Sequence, residues 1–104
     1  MEITTLELQE KIKNGEKLIV DFWGSFCVPC KLLKPIFEKV SSENTTDVQM
    51  YTMDVGNNRE FVASLGIRSI PTIKLFSGGK EIQTQVGLQT ETQIKQLANN
   101  LINE

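Results

Sequence analysis

The sequence predicts an α/β fold, with a central mixed β-sheet flanked by helices on both faces and the element order βαβαβαββα. Three observations predict it. Strand-length apolar or alternating runs take turns with stretches whose apolar residues recur every three to four positions. Two Thr-x-x-Glu/Gln patterns, Thr4 with Glu7 and Thr90 with Gln93, mark helix starts. A Gly78-Gly79 pair marks a late hairpin, so the last two strands run antiparallel, whereas earlier strands joined through helices run parallel.

The elements follow in order. Ile3 is expected in a short first strand. The Thr4 box opens a helix with Leu8 and Ile12 on one face, and Gly15 stops it. Leu18 to Trp23 is an almost continuous apolar run, the pattern of a strand covered on both faces, interrupted by Asp21. A helix is expected from Val28 to Val40, burying Leu33, Ile36, Phe37 and Val40. Pro29 falls in its first turn, where a missing N–H matters little. Pro35 falls mid-helix, where a kink is expected. Ser41 to Asp47 reads as a loop, with Asn44-Thr45-Thr46 a plain polar stretch rather than a used glycosylation site. Val48 to Val55 is the next strand. Asn58 is expected to cap a short helix carrying Phe61, Val62 and Leu65, ended by Gly66. Thr72 to Phe76 and Lys80 to Val86 form the hairpin. The final helix lines up Ile94, Leu97, Ala98, Leu101 and Ile102.

Composition bounds the function. The chain has 104 residues, enough for one domain (1–104) and too few for two. Apolar residues make up 39% and charged residues 23%, ordinary for a globular protein. A net charge of −2 gives no footprint for nucleic acid. No apolar run is long enough to span a bilayer. The N-terminal MEITTLELQEK lacks a basic segment followed by an apolar one, so a cytoplasmic protein is expected. A monomer is expected as well.

Two cysteines stand three positions apart, and histidine is absent. No Cys–His or Ser–His nucleophile can therefore form. Two thiols fall short of a structural zinc site within one chain, and only two pooled chains would supply four. No metal or other cofactor is expected.

The segment VDFWGSFCVPCKLLKP, Val20 to Pro35, resembles the active-site segment of the thioredoxin family. GIRSIPT, Gly66 to Thr72, resembles that family's cis-proline loop. FSGGK, Phe76 to Lys80, and the Val86-Gly87 pair match its late hairpin and following glycine. The resemblance runs along essentially the whole chain, in order. It implies the thioredoxin fold and a protein-disulfide reductase that needs no cofactor beyond a redox-active Cys27–Cys30 pair. It also implies disulfide-containing protein substrates and a partner such as a thioredoxin reductase.

The residues make chemical sense of this activity. Cys27 lies just before a helix N-terminus, where unpaired N–H groups favour a thiolate. Cys30 is one turn in, close enough to bond with it. Cys27 then attacks a substrate disulfide and Cys30 resolves the mixed disulfide. The competing reading, two inert core cysteines, fits Val28, Pro29 and Lys31 poorly. The resemblance gives Asp21 the place behind the second cysteine, where it helps move that thiol's proton. Burial should raise its pKa. The plainer alternative is a strand-end aspartate bonded to backbone. The resemblance also makes Ile70–Pro71 cis, presenting the Ile70 backbone to an extended substrate. Trp23, Pro29, Ile70 and Gly87 would rim a shallow apolar surface, with ordinary core packing the less favoured alternative for Trp23.

Several positions depart from the family. Val28 stands where glycine is usual and Phe26 where tryptophan is common. Ser25 replaces a frequent acidic or small residue. Met50 is aligned with a lysine that often partners the buried aspartate. Lys74 could supply a substitute cation, though snorkelling to solvent is the favoured reading. Two other functions compete with the reductase: a non-redox binding module, and an oxidase or isomerase in an oxidising compartment. The full set Cys27, Cys30, Asp21 and Pro71 argues against the first. The absent export signal and histidine argue against the second.

Overall fold

Strand pairing begins with the apolar run Leu18–Trp23, which forms β1 at the centre of a four-stranded sheet in the computed structural model of residues 1–104. Around it lie α1 (Thr5–Lys13), α2 (Val28–Glu43), β2 (Gln49–Asp54), α3 (Arg59–Ser64), β3 (Thr72–Ser77), β4 (Lys80–Val86) and α4 (Glu91–Ile102). The sheet order is β2-β1-β3-β4. β1 and β2 are parallel, joined through α2, while β3 is antiparallel to both β1 and β4. The expected first strand is reduced to a single parallel bridge between Glu2 and Thr52. α1 starts at Thr5, so only a few residues precede it and no ladder can develop.

Both capping boxes close. The Glu7 N–H donates to Thr4 Oγ1 at 3.2 Å and the Thr4 N–H to Glu7 Oε1 at 2.9 Å. Thr90 and Gln93 repeat the exchange at α4. Each satisfies donors that helix geometry leaves orphaned. Asn58 precedes α3 but gives it no side-chain cap. Its Oδ1 instead accepts from the N–H and hydroxyl of Thr5, tying α1 to the turn before α3. α2 runs through Pro35 and one turn beyond Val40, so Ser41, Ser42 and Glu43 are helical rather than loop. At the hairpin Gly78 and Gly79 have φ of +62° and +83°, the left-handed pair a two-residue turn requires.

The two sheet faces carry separate cores. Ile19, Met50, Ile73 and Leu75 pack beneath α2 and α4, against Leu33, Phe37, Ile94, Leu97 and Leu101. Leu18, Val20, Phe22, Met53 and Phe76 face α1 and α3, against Leu8 and Val62. Ile36 is only half-buried, and Ile102 at the end of α4 is exposed. Because side chains alternate along a strand, Asp21 shares the face of Ile19 and therefore lies under α2. Lys74 shares the other face with Phe76.

Candidate active site

The polypeptide leaves β1 at Trp23 and turns through Gly24, Ser25 and Phe26 before α2 begins. Cys27 is the N-cap of α2, and the Cys30 N–H donates to its Sγ at 3.2 Å. The sulfur thus occupies the position usually held by a serine, threonine or aspartate oxygen. Pro29 sits in the first turn, where its missing N–H leaves no hydrogen bond unmade. The two sulfurs are joined as a disulfide, with the Cα atoms 5.2 Å apart. Both cysteines are buried in this state, Cys27 at 7% exposure and Cys30 at 4%. Phe26, Val28 and Pro29 around them are exposed.

The loop before β3 comes up against this turn. Ile70–Pro71 is cis, and the Ile70 carbonyl oxygen lies 3.7 Å from Cys27 Sγ. A side chain on Gly24 would put its Cβ 2.5 Å from Ile70 Cδ1, so the two loops meet closely at this glycine and the tip of the Ile70 side chain. Neither the N–H nor the carbonyl of Ile70 is used in a backbone hydrogen bond. Pro71 is buried, and its carbonyl accepts from the Gly87 N–H at 2.8 Å, which ties the start of the last loop to the same corner. Trp23 is half-buried at the end of β1, and its indole N–H donates to Glu2 Oε1 at 3.0 Å. Trp23, Pro29, Ile70, Pro71 and Gly87 are thus gathered around or just behind the cysteines.

Asp21 is 2% exposed, and its Oδ1 has no hydrogen-bond partner. It lines a cavity of about 460 Å³ together with Cys30, Trp23, Thr52 and Glu2. Burial pushes the carboxyl up to about 7, and the negative charge of Glu2 adds to the effect.

Met50, aligned with the lysine that often partners this aspartate in the family, supplies no cation. The parallel register sets Met50 against Ile19 and Thr52 against Asp21, so the residue directly across from Asp21 is an uncharged threonine. Lys74 is no substitute, because it faces away from Asp21. It does not reach solvent either. It is 5% exposed, and its Nζ lies 2.7 Å from Glu81 Oε1 and 3.0 Å from Thr84 Oγ1. A bulge between Leu75 and Phe76 makes this possible. The extra residue on β4 returns Glu81 to the Lys74 face, which a regular ladder would have denied it.

Glu2 escaped the sequence reading altogether. Its only signal is position: it is brought to the Asp21 cavity by the bridge to Thr52 rather than by any motif.

Residues 1–100 match the thioredoxin family profile. The chain is 37% identical over 94 residues to a thioredoxin of Rickettsia bellii, covering 90% of each chain. It is 33% identical over 102 residues to one from Alicyclobacillus acidocaldarius, covering 97% of each. A solved thioredoxin from Halobacterium salinarum superposes with a TM-score of 0.83 at 29% identity, covering 97% of this chain and 88% of that one. With a cysteine pair already joined at the head of α2, the family's chemistry has its reacting atoms in place. The chain belongs to the thioredoxin family and is a thiol–disulfide oxidoreductase.

Proposed function

We propose that this oxidoreductase works as a reductase of protein disulfides, with Cys27 as nucleophile, Cys30 as resolving thiol and Asp21 as the group that takes the Cys30 proton. The observation that carries the reading is the capping of α2 by Cys27 Sγ, with Asp21 and Cys30 on one cavity behind it.

In the dithiol form the Cys27 thiolate attacks one sulfur of a substrate disulfide. The other substrate sulfur leaves as a thiolate, and a mixed disulfide remains. The thiolate is favoured by the N–H groups at the start of α2. Cys30 then gives its proton to the Asp21 carboxylate and attacks Cys27 Sγ. The second substrate sulfur leaves as a thiolate, and the Cys27–Cys30 disulfide forms. The substrate has gained two electrons, and the enzyme has lost them. A carboxyl pushed up to about 7 is a better proton acceptor for a thiol than an ordinary aspartate.

The unused backbone groups of Ile70 fit an extended substrate laid beside Cys27 as an added strand. Trp23, Pro29, Pro71 and Gly87 shape that groove, and the exposed Phe26 and Val28 widen its apolar part. A disulfide reductase of the kind that serves thioredoxins would return the pair to the dithiol. We place this activity in the cytoplasm, in a single-domain monomer that needs no cofactor beyond the cysteine pair. No helix is long and apolar enough to cross a membrane.

The direction of reaction is tested by equilibrating the cysteine pair with a glutathione or dithiothreitol buffer. A reduction potential near the family's value of about −270 mV is expected. A value above about −180 mV would make the protein an oxidase or isomerase instead.

A further inference from the structure

Glu2 is held by three donors at once. Its Oε1 accepts from the Trp23 indole at 3.0 Å and from the Thr52 hydroxyl at 2.7 Å, and its Oε2 accepts from the Asp54 N–H at 2.6 Å. An exposed glutamate ordinarily samples many rotamers, and three hydrogen bonds fix this one. The bonds anchor it to both strands that flank the Asp21 cavity. Thr52, the register partner of Asp21, turns its hydroxyl proton toward Glu2, and Asp21 Oδ1 has no partner of its own.

We propose that Glu2 is a positioning residue for the resolving step: a fixed negative charge at the mouth of the Asp21 cavity that keeps Asp21 a strong enough base to accept the Cys30 proton. This rests on the role given to Asp21 above.

The other groups facing Asp21 do not supply such a charge from within the fold. α2 contributes Cys30 and, at the cavity's outer wall, the exposed Lys31, Lys34 and Glu38. Met1 with its amino group lies beside Glu2. β2 offers the uncharged Thr52, β3 the apolar Ile73, and α2 also the apolar Phe37 and the uncharged Ser41. The nearby cations are all solvated and favour the ionised aspartate. Glu2 opposes them from a fixed place. Burial remains the larger cause of the raised Asp21 pKa, with Glu2 second.

The test is the titration of the Asp21 carboxyl carbon by NMR in the disulfide form, where no thiol titrates. Glu2→Gln keeps acceptors for Trp23 and Thr52 but removes the charge. Asp21 should then lose at least about threefold in proton affinity, and Glu2→Lys should lower it further. A role limited to holding Trp23 would leave the Asp21 midpoint where it is, and an unchanged midpoint in both variants overturns the proposal. The pH profile of disulfide exchange should shift toward lower pH in Glu2→Gln, and this shift should vanish in an Asp21→Asn background. If it persists there, Glu2 acts on another group and the proposal is wrong. If Asp21→Asn alone leaves exchange unaltered, the proton role of Asp21 is what fails, and the two failures are distinguished.

Discussion

Cys30 donates its backbone N–H to the Sγ of Cys27 at 3.2 Å, so one reacting sulfur is held by the peptide group of the other cysteine. The sulfur caps the helix that carries its partner. A negative sulfur is stabilised there by the same unpaired N–H groups that select aspartate or serine at other helix starts.

This asymmetry fixes the expected order of attack. Cys30→Ser should accumulate covalent mixed disulfides with a disulfide-containing protein, because the resolving thiol is gone. Cys27→Ser should form almost none, because the remaining thiol sits a turn deeper. The exposure difference between the two cysteines is small, so the helix start rather than accessibility should decide. Mass spectrometry of the adducts checks this. Equal trapping by both variants would reverse the assignment.

Asp21 should make stability depend on pH. Its folded carboxyl is raised from 3.8 to about 7. A raised acid contributes fully below its unfolded value, near 3.9, and the contribution is lost as pH rises toward 7. The span is worth about 4 kcal/mol at most. Asp21→Asn should match the wild type near pH 4 and exceed it by roughly 2–4 kcal/mol at pH 8. Disulfide reduction should slow in the same variant. Urea unfolding at the two pH values gives the answer, and a constant difference would remove the buried charge from the account.

Lys74 should matter to the fold and not to the chemistry. It lies on the sheet face opposite Asp21, paired with Glu81. Glu81→Ala leaves a buried ammonium with only Thr84 and should cost about 1–3 kcal/mol. Lys74→Met fills the same volume and leaves a partly exposed Glu81 able to rehydrate, so the loss should be under about 1 kcal/mol. Exchange rates should be unchanged in Lys74→Met. A large drop in rate would mean that the lysine is felt across the sheet.

The parts of this fold that were legible in the sequence are those encoded locally. Thr4 with Glu7, Thr90 with Gln93 and the Gly78-Gly79 turn each fall within four residues, and each formed as written. The end of α2 was missed because Ser41, Ser42 and Glu43 form a solvated turn with no apolar period to extend. The surroundings of Asp21 failed for a different reason. That Thr52 lies directly across from Asp21 depends on the parallel register, which no local pattern sets. The partner of Lys74 depends on a bulge in another strand. Glu2 depends on a single bridge joining residues fifty positions apart. The cysteine motif could be read, but the charged groups packed around Asp21 and Lys74 could not.

Gly24 should prove to be a steric requirement rather than a conformational one. Its φ is not positive, so alanine can adopt its backbone freely. The obstacle is Ile70, whose Cδ1 would lie 2.5 Å from the new Cβ. Gly24→Ala must therefore turn the end of the Ile70 side chain aside, next to the carbonyl that stands 3.7 Å from Cys27 Sγ. Because the clashing atom is the end of a flexible side chain, the cost should fall at the low end of overpacking, about 1 kcal/mol. Ile70→Val removes the clashing methyl, so the double variant should recover most of that loss. Reduction of a protein disulfide should fall more in Gly24→Ala than reduction of a small symmetric disulfide, which needs no strand-like contact with Ile70. Rates for the two single variants and the double variant, measured with both substrates, complete the cycle. Simple additivity would show that the contact between Gly24 and Ile70 does not govern how a protein substrate is held.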